Sequence, residues 1–201
     1  MIYIVGIGPG AKEYILPKAE EVMGNCDIVI GFERAINSIA HISGNRLMIK
    51  SLTETLNYIN NNRNKDISIA ASGDPCFYGI TDYIKINYAG AFEIIPGISS
   101  YQYLMAKLNK SWQGAHLGSL HGRNEELLEK VKSSKLSIWL TDKNNSPNFI
   151  CRELIKADIK AQVYVGENLS YEDERIVNGN ALEVSVMDFN SLCVVVIETV
   201  E

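Results

Sequence analysis

Paired cysteines are missing from this chain: Cys26, Cys76, Cys151 and Cys193 are widely separated and none forms a CxxC motif. That excludes a zinc ribbon and a thioredoxin-like redox centre, and scattered thiols suit a reducing compartment, so a cytoplasmic setting is expected. A basic excess is missing as well. With 19 Lys+Arg against 24 Asp+Glu and a formal net charge of -5, the surface lacks the cationic face that phosphate neutralisation requires, which argues against a nucleic-acid partner. Acidic small molecules stay possible through a local basic pocket. Long hydrophobic runs are also wanting. The opening MIYIVGIGPG has no basic n-region, and no stretch approaches the roughly 18 apolar residues that span a bilayer, so neither a signal peptide nor a membrane partner is expected. Internal repeats, low-complexity tracts, an HxxxH metal pair and a nucleophile elbow are all lacking, and no metal site is expected.

What remains is a 201-residue chain that is 46% hydrophobic and 21% charged, enough for one large or two small domains with a real core. Short apolar runs alternate with helical patterns. Strands are predicted at 2–7, 27–30, 67–71 and 92–95, and helices at 16–23, at 34–42 and after Gly79. This alternation indicates an α/β chain with a largely parallel sheet. After Pro96-Gly97, residues Tyr101, Leu104, Met105 and Leu108 mark one buried helix face, with Ser99 or Ser100 as its cap. The polar stretch NKSWQG at 109–114 is read as a linker, which divides the chain into domains at 1–112 and 113–201. Beyond it, strands are predicted at 116–119, 136–140, 162–165, 174–177 and 192–197. Helices fall at 125–131 and behind Ser146-Pro147, and the second sheet is expected to be mixed.

Three glycine-bearing segments stand where open α/β sheets bind ligands, at the carboxyl ends of strands. The first, GIGPGA at 6–11, satisfies the loose GxGxxG/A dinucleotide fingerprint. Pro9 deletes a backbone donor there, and the second strand ends in Gly31 with no acid at its tip, so a nicotinamide site is reduced though not removed. The others are SGDPCFYG at 72–79 and PGISS at 96–100. Each alone is equally a structural turn. Together, at the ends of strands of one sheet, they lie close in space.

In this order and spacing, VGIGPG, ASGDPCFYG and IPGISSYQ resemble the tetrapyrrole methylase family, and the resemblance extends over nearly the whole chain. The segments SLHGR (119–123), WLTD (139–142), GENLSYEDERIVNG (166–179) and the final LCVVVIE are similar to the branch that methylates C5 of a cobalt-precorrin in cobalamin synthesis. The resemblance implies two αβα domains with S-adenosylmethionine in the cleft between them, and a homodimer. It also implies cofactor contacts from Pro9, Gly73, Asp74, Phe77, Ser99, Ser100 and Thr141. The corrin would meet Gly8, Gly10, Arg34, His121 and Arg123, where the arginine forks suit its carboxylate arms. For Arg34, Arg123 and Lys12 a solvated surface role is the plain alternative, as a structural role is for His121. Cys76 is expected to pack as a small apolar residue.

No catalytic triad is required, because a methyl sulfonium is already electrophilic and the protein need only dock a nucleophilic carbon in line with it. The family match occupies both halves of the chain. C15 methylation and decarboxylation are therefore assigned to a separate partner chain. Other readings stay open: a family member with another ring position or substrate, and a nicotinamide-dependent oxidoreductase using the first glycine loop.

Overall fold

The computed structural model describes residues 1–122 and 126–200. They form two compact units, Met1–Ser100 and Tyr101–Glu201.

In chain order, the first unit holds β1 (Ile2–Gly6), α1 (Pro17–Asn25), β2 (Ile28–Gly31), α2 (Glu33–Ser38), β3 (Arg46–Met48), α3 (Leu52–Asn61), β4 (Ile67–Ala71), α4 (Thr81–Asn87) and β5 (Phe92–Ile95). Its five strands run in the order β3-β2-β4-β1-β5, every pairing parallel. Because successive strand residues face opposite sides, one run of apolar residues fills two cores. Ile2 and Ile4, with Ile30, Ile67 and Ile69, meet Ile59 of α3 and Ile84 of α4. Val5, Val29 and Ala70 face the other way, against Ala19 and Met23 of α1 and Ala35 and Ile36 of α2. The sheet is thus sandwiched between two helical layers.

The second unit comprises α5 (Ser100–Lys107), β6 (His116–Ser119), α6 (Leu127–Ser133), β7 (Leu136–Leu140), α7 (Pro147–Lys156), β8 (Ala161–Glu167), β9 (Arg175–Asn180), α8 (Ala181–Ser185) and β10 (Cys193–Thr199). Its sheet has the order β6-β7-β10-β8-β9. It is mixed, with β6 and β7 parallel and the remaining pairs antiparallel. Trp139, Val163, Val165, Val195 and Ile197 cover one face together with Val131 of α6, Ile150 and Leu154 of α7 and Val184 of α8. On the other face Leu104 of α5 lies so close to Gly166 that a methyl group there would come within 2.8 Å of it. Helix α7 starts as its sequence dictates, with Ser146 Oγ accepting from the Phe149 amide at 3.3 Å and Pro147 in the first turn.

The boundary after Ser100 lies ahead of the polar stretch read from the sequence as a linker. That stretch belongs to the second unit for a physical reason. Trp112 stacks edge-on to Tyr101, ring centroids 5.4 Å apart, and Lys110 Nζ donates to Glu198 Oε2 at 2.9 Å, so the segment is tied to α5 and β10.

Candidate functional site

The three glycine loops follow β1, β4 and β5, which the sheet order places side by side. They are joined more tightly than adjacency requires. Gly8 and Gly73 form an antiparallel bridge, the Gly73 amide donating to Gly8 O at 2.8 Å and the Gly8 amide to Gly73 O at 3.3 Å. Both glycines have positive φ, 74° and 69°, which explains their residue type. A Cβ on Gly97 would stand 2.2 Å from Gly73 O, and one on Gly6 would stand 2.5 Å from Gly97 N. Only bare backbone lets the three loops meet.

Asp74 braces this floor. Its Oδ2 accepts from the Gly97 amide at 3.1 Å and its Oδ1 from the Cys76 amide at 2.8 Å, so the carboxylate joins the second loop to the third and shapes its own turn. Above the floor the space opens: a methyl placed on Gly73 would meet only Ser99 Cα, at 3.7 Å. In the same three loops Pro9 and Phe77 are half-buried, Ser99 and Gly10 are buried, and Ser100 heads α5. Phe77 packs edge-on to Tyr78, whose φ of 52° is unusual for an aromatic residue. Cys76 is exposed, contrary to the expectation that it would pack as an apolar residue. Its amide donates to Asp74, and its Sγ lies 3.7 Å from Thr81 Oγ1.

The geometry departs from a dinucleotide site. There the glycine turn leads at once into a helix whose N-terminus holds the pyrophosphate. Here Gly8 is committed to Gly73, and a 3-10 turn at Lys12–Tyr14 comes before α1. Arg34, grouped with this site from the sequence, is exposed on α2 at the end of β2, and β4 lies between β2 and β1.

In the second unit, two loops at the ends of the parallel pair β6 and β7 are joined in a similar manner. His121 Nδ1 lies 3.1 Å from Thr141 O, and the Gly122 amide donates to Asp142 Oδ2 at 2.8 Å. Asp142 Oδ1 accepts from the amides of Asn144 and Asn145 at 2.9 and 2.7 Å. The amides of Asn145 and Gly122 hold its carboxyl below the ordinary aspartate range. Thr141 is buried, and its hydroxyl donates to Cys193 O at 2.8 Å. Arg123 lies outside the described residues. The sequence reading named Thr141 and passed over Asp142, although Asp-Lys-Asn-Asn is a turn-forming composition that marks it.

Glu167, Glu174 and Arg175 of the GENLSYEDERIVNG segment are each held by partners within the second unit. Glu167, buried, accepts from Arg175 Nε at 2.6 Å and from the Asn190 amide, while the Arg175 guanidinium lies 5.1 Å from the Phe189 ring centroid. Glu174 accepts from the Ser170 amide at 2.6 Å and pairs with Lys107 of α5 at 3.5 Å. Burial and a hydrogen bond with Glu174 push the Tyr103 hydroxyl up to about 12. Among the described residues no group of three or more His, Cys, Asp or Glu could hold a metal ion, and no helix is long and apolar enough to cross a membrane.

The family model of tetrapyrrole (corrin/porphyrin) methylases matches residues 1–185. A relative from Methanocaldococcus jannaschii, named probable cobalt-precorrin-7 C(5)-methyltransferase, is 37% identical over an alignment covering 98% of each chain. Among solved structures, the cobalamin-biosynthesis precorrin-6Y methylase of Archaeoglobus fulgidus matches with a TM-score of 0.80 at 23% identity, covering 98% of this chain and 97% of that one. Uroporphyrin-III C-methyl transferase from Thermus thermophilus complexed with S-adenyl homocysteine matches with a TM-score of 0.80 at 18% identity, over 98% and 91% of the two chains. These structural likenesses speak to the fold, and the family model together with the 37% relative decides membership: the chain belongs to the tetrapyrrole methylase family.

Proposed function

We propose that this protein transfers a methyl group from S-adenosylmethionine to C5 of a cobalt-precorrin. One observation carries the cofactor assignment: the sealed glycine floor beneath open space at Gly73. A floor of bare backbone offers carbonyl and amide groups at close range, and the Ser99 and Ser100 segment at the start of α5 adds hydroxyls beside it. These groups suit a neutral-to-cationic adenosyl ligand better than a pyrophosphate, because the loop that would cradle phosphate is closed by its pairing with Gly73. Pro9, Gly73, Phe77, Ser99 and Ser100 then contact the cofactor, and Asp74 holds their loops in register.

S-adenosylmethionine brings an activated methyl group. The residues of the chain bind, orient and exclude water. The C5 position is supported by the name of the M. jannaschii relative, which matches along its whole length. Substrate contacts fall to Gly8, Gly10, His121, Arg34 and Arg123, the two arginines serving the acidic arms of the ring.

The same reading includes a homodimer. Phe32, Leu47 and Met48, exposed on β3 and at the end of its neighbour β2, supply apolar surface that a second copy would cover. A cytoplasmic location accords with four free thiols. C15 methylation and loss of an acetate carboxyl are left to a separate chain.

Calorimetric titration with S-adenosylmethionine and with NADH separates the proposal from the oxidoreductase alternative. Saturable binding of the first and none of the second is expected, and the reverse pattern overturns the proposal.

A further inference from the structure

We propose that the groove between the start of α6 and the flank of α7 docks a segment of a partner protein that carries an apolar side chain flanked by lysine or arginine. The groove lies within the second unit and has a volume of about 420 Å³, room for a small ligand or a few side chains. Its lining divides by chemistry. Leu120 and Leu127 are buried, and Leu128 and Phe149 are half-buried against the same core, so the bottom is apolar. Glu126 and Glu129 are exposed and, with Glu153 of α7, bring three carboxylates to this surface. The wall is built before any partner arrives. Asn145 Nδ2 donates to Leu120 O at 2.9 Å and the Asn145 amide to Asp142 Oδ1 at 2.7 Å, tying the loop after β7 to the end of β6. Phe149 and Glu153, four residues apart, share one side of α7. A preformed groove loses little conformational freedom on binding.

Charge selects the occupant. Among the described residues that line the groove none is cationic. Lys130 and Lys156 lie beside it, at 3.6 Å from Glu129 and 2.6 Å from Glu153. A hydrogen bond between the carboxyls of Glu126 and Glu129 raises the first above the usual carboxylate range and lowers the second, as when two carboxyls hold one proton. An ammonium or guanidinium set between them would replace that proton with a full positive charge and gain charge-assisted hydrogen bonds. A corrin is the wrong occupant, because its acidic arms would meet three carboxylates. A second copy of the chain, with its net charge of -5, brings like charge to the groove. A purely cationic ligand would leave the leucines and Phe149 without a partner. A basic and apolar peptide segment answers both halves of the lining. None of this depends on the methyltransferase reading, and it stands whether or not the protein binds S-adenosylmethionine.

The test selects a random peptide library, displayed on phage, against the immobilised full chain. Enriched peptides should carry leucine or an aromatic residue flanked by lysine or arginine. Their affinity should fall about tenfold for Glu126→Gln/Glu129→Gln, which keeps the shape of the groove and removes two charges, and by a similar factor for Leu128→Ala, which keeps the charges. Melting curves verify that each variant is folded. No enrichment, enrichment of lysine-rich peptides without apolar residues, or affinity for the double variant within about twofold of wild type would each overturn the proposal. Displacement of the bound peptide by excess soluble protein would overturn it too, by making a second copy the occupant.

Discussion

Asp74 Oδ2 accepts a hydrogen bond from the amide of Gly97 at 3.1 Å, fastening the loop after β4 to the loop after β5. The family resemblance read from the sequence implies that Asp74 contacts the cofactor. Both of its oxygens are in fact occupied by backbone amides. Asp74→Ala is therefore expected to act on both stability and binding. Charge-assisted hydrogen bonds are worth about 1.5–3 kcal/mol, so the variant should lose on the order of 2 kcal/mol in denaturant unfolding and bind S-adenosylmethionine at least about tenfold more weakly. Full stability with weakened binding would show instead that the carboxylate acts on the ligand alone.

Gly97→Ala should be among the most damaging alanine substitutions in the first unit, because the added carbon would sit 2.2 Å from Gly73 O, a backbone atom that cannot swing aside. Overpacking of this kind costs about 1–3 kcal/mol. Gly24→Ala is the internal control: it lies near the end of α1 with nothing within 4 Å of the added carbon. It should stabilise the protein by up to about 1 kcal/mol. Comparing the two melting curves checks the claim that the loops touch backbone to backbone.

The strands and the three glycine loops were legible because buried parallel strands read as short apolar runs, and Ile67–Ala71 and Phe92–Ile95 stand where those runs predict. Arg46–Met48 was not legible: three residues are too few to show a period, and the strand lies exposed on the sheet edge, so its apolar Leu47 and Met48 mark no buried face. Helix α8 escaped for a similar reason, with only Ala181 and Val184 of its five residues buried. At the site, the sequence brought the loops to neighbouring strand ends, but the bridge between Gly8 and Gly73 and the double duty of Asp74 depend on backbone contacts that no local pattern encodes. The link from Asp142 to the Gly122 amide is of the same kind, joining two loops through a pairing of strands.

Asp142 makes the second unit sensitive to acid. Hydrogen bonds from the amides of Asn145 and Gly122 lower its folded pKa. The stabilisation they bring is therefore fully present above about pH 4, the ordinary aspartate value, and is lost as the pH falls through the lowered folded value. Asp142→Asn should destabilise the protein at pH 7 by about 1 kcal/mol, a modest figure because solvent screens a partly exposed group. It should also flatten the acid limb below about pH 4 on a plot of unfolding free energy against pH. An unchanged acid limb would remove Asp142 from that role.

The thiols should separate by environment. Burial pushes Cys151 and Cys193 up to about 12, so both should resist iodoacetamide at neutral pH until the protein unfolds. Cys76 is exposed within the loop that Asp74 shapes and should react first. Saturating S-adenosylmethionine is expected to slow that alkylation several-fold, which peptide mass mapping would read. Indifference of Cys76 to the cofactor would place the ligand away from this loop.

The most direct test of the account is the product itself. Incubating the purified protein with a cobalt-precorrin substrate and S-adenosylmethionine labelled with ¹³C in its methyl group should give a product heavier by one methyl, with the label at C5 by NMR and no carbon dioxide released. A labelled methyl on another ring carbon, a second methyl, decarboxylation by this chain alone, or no transfer at all would contradict it.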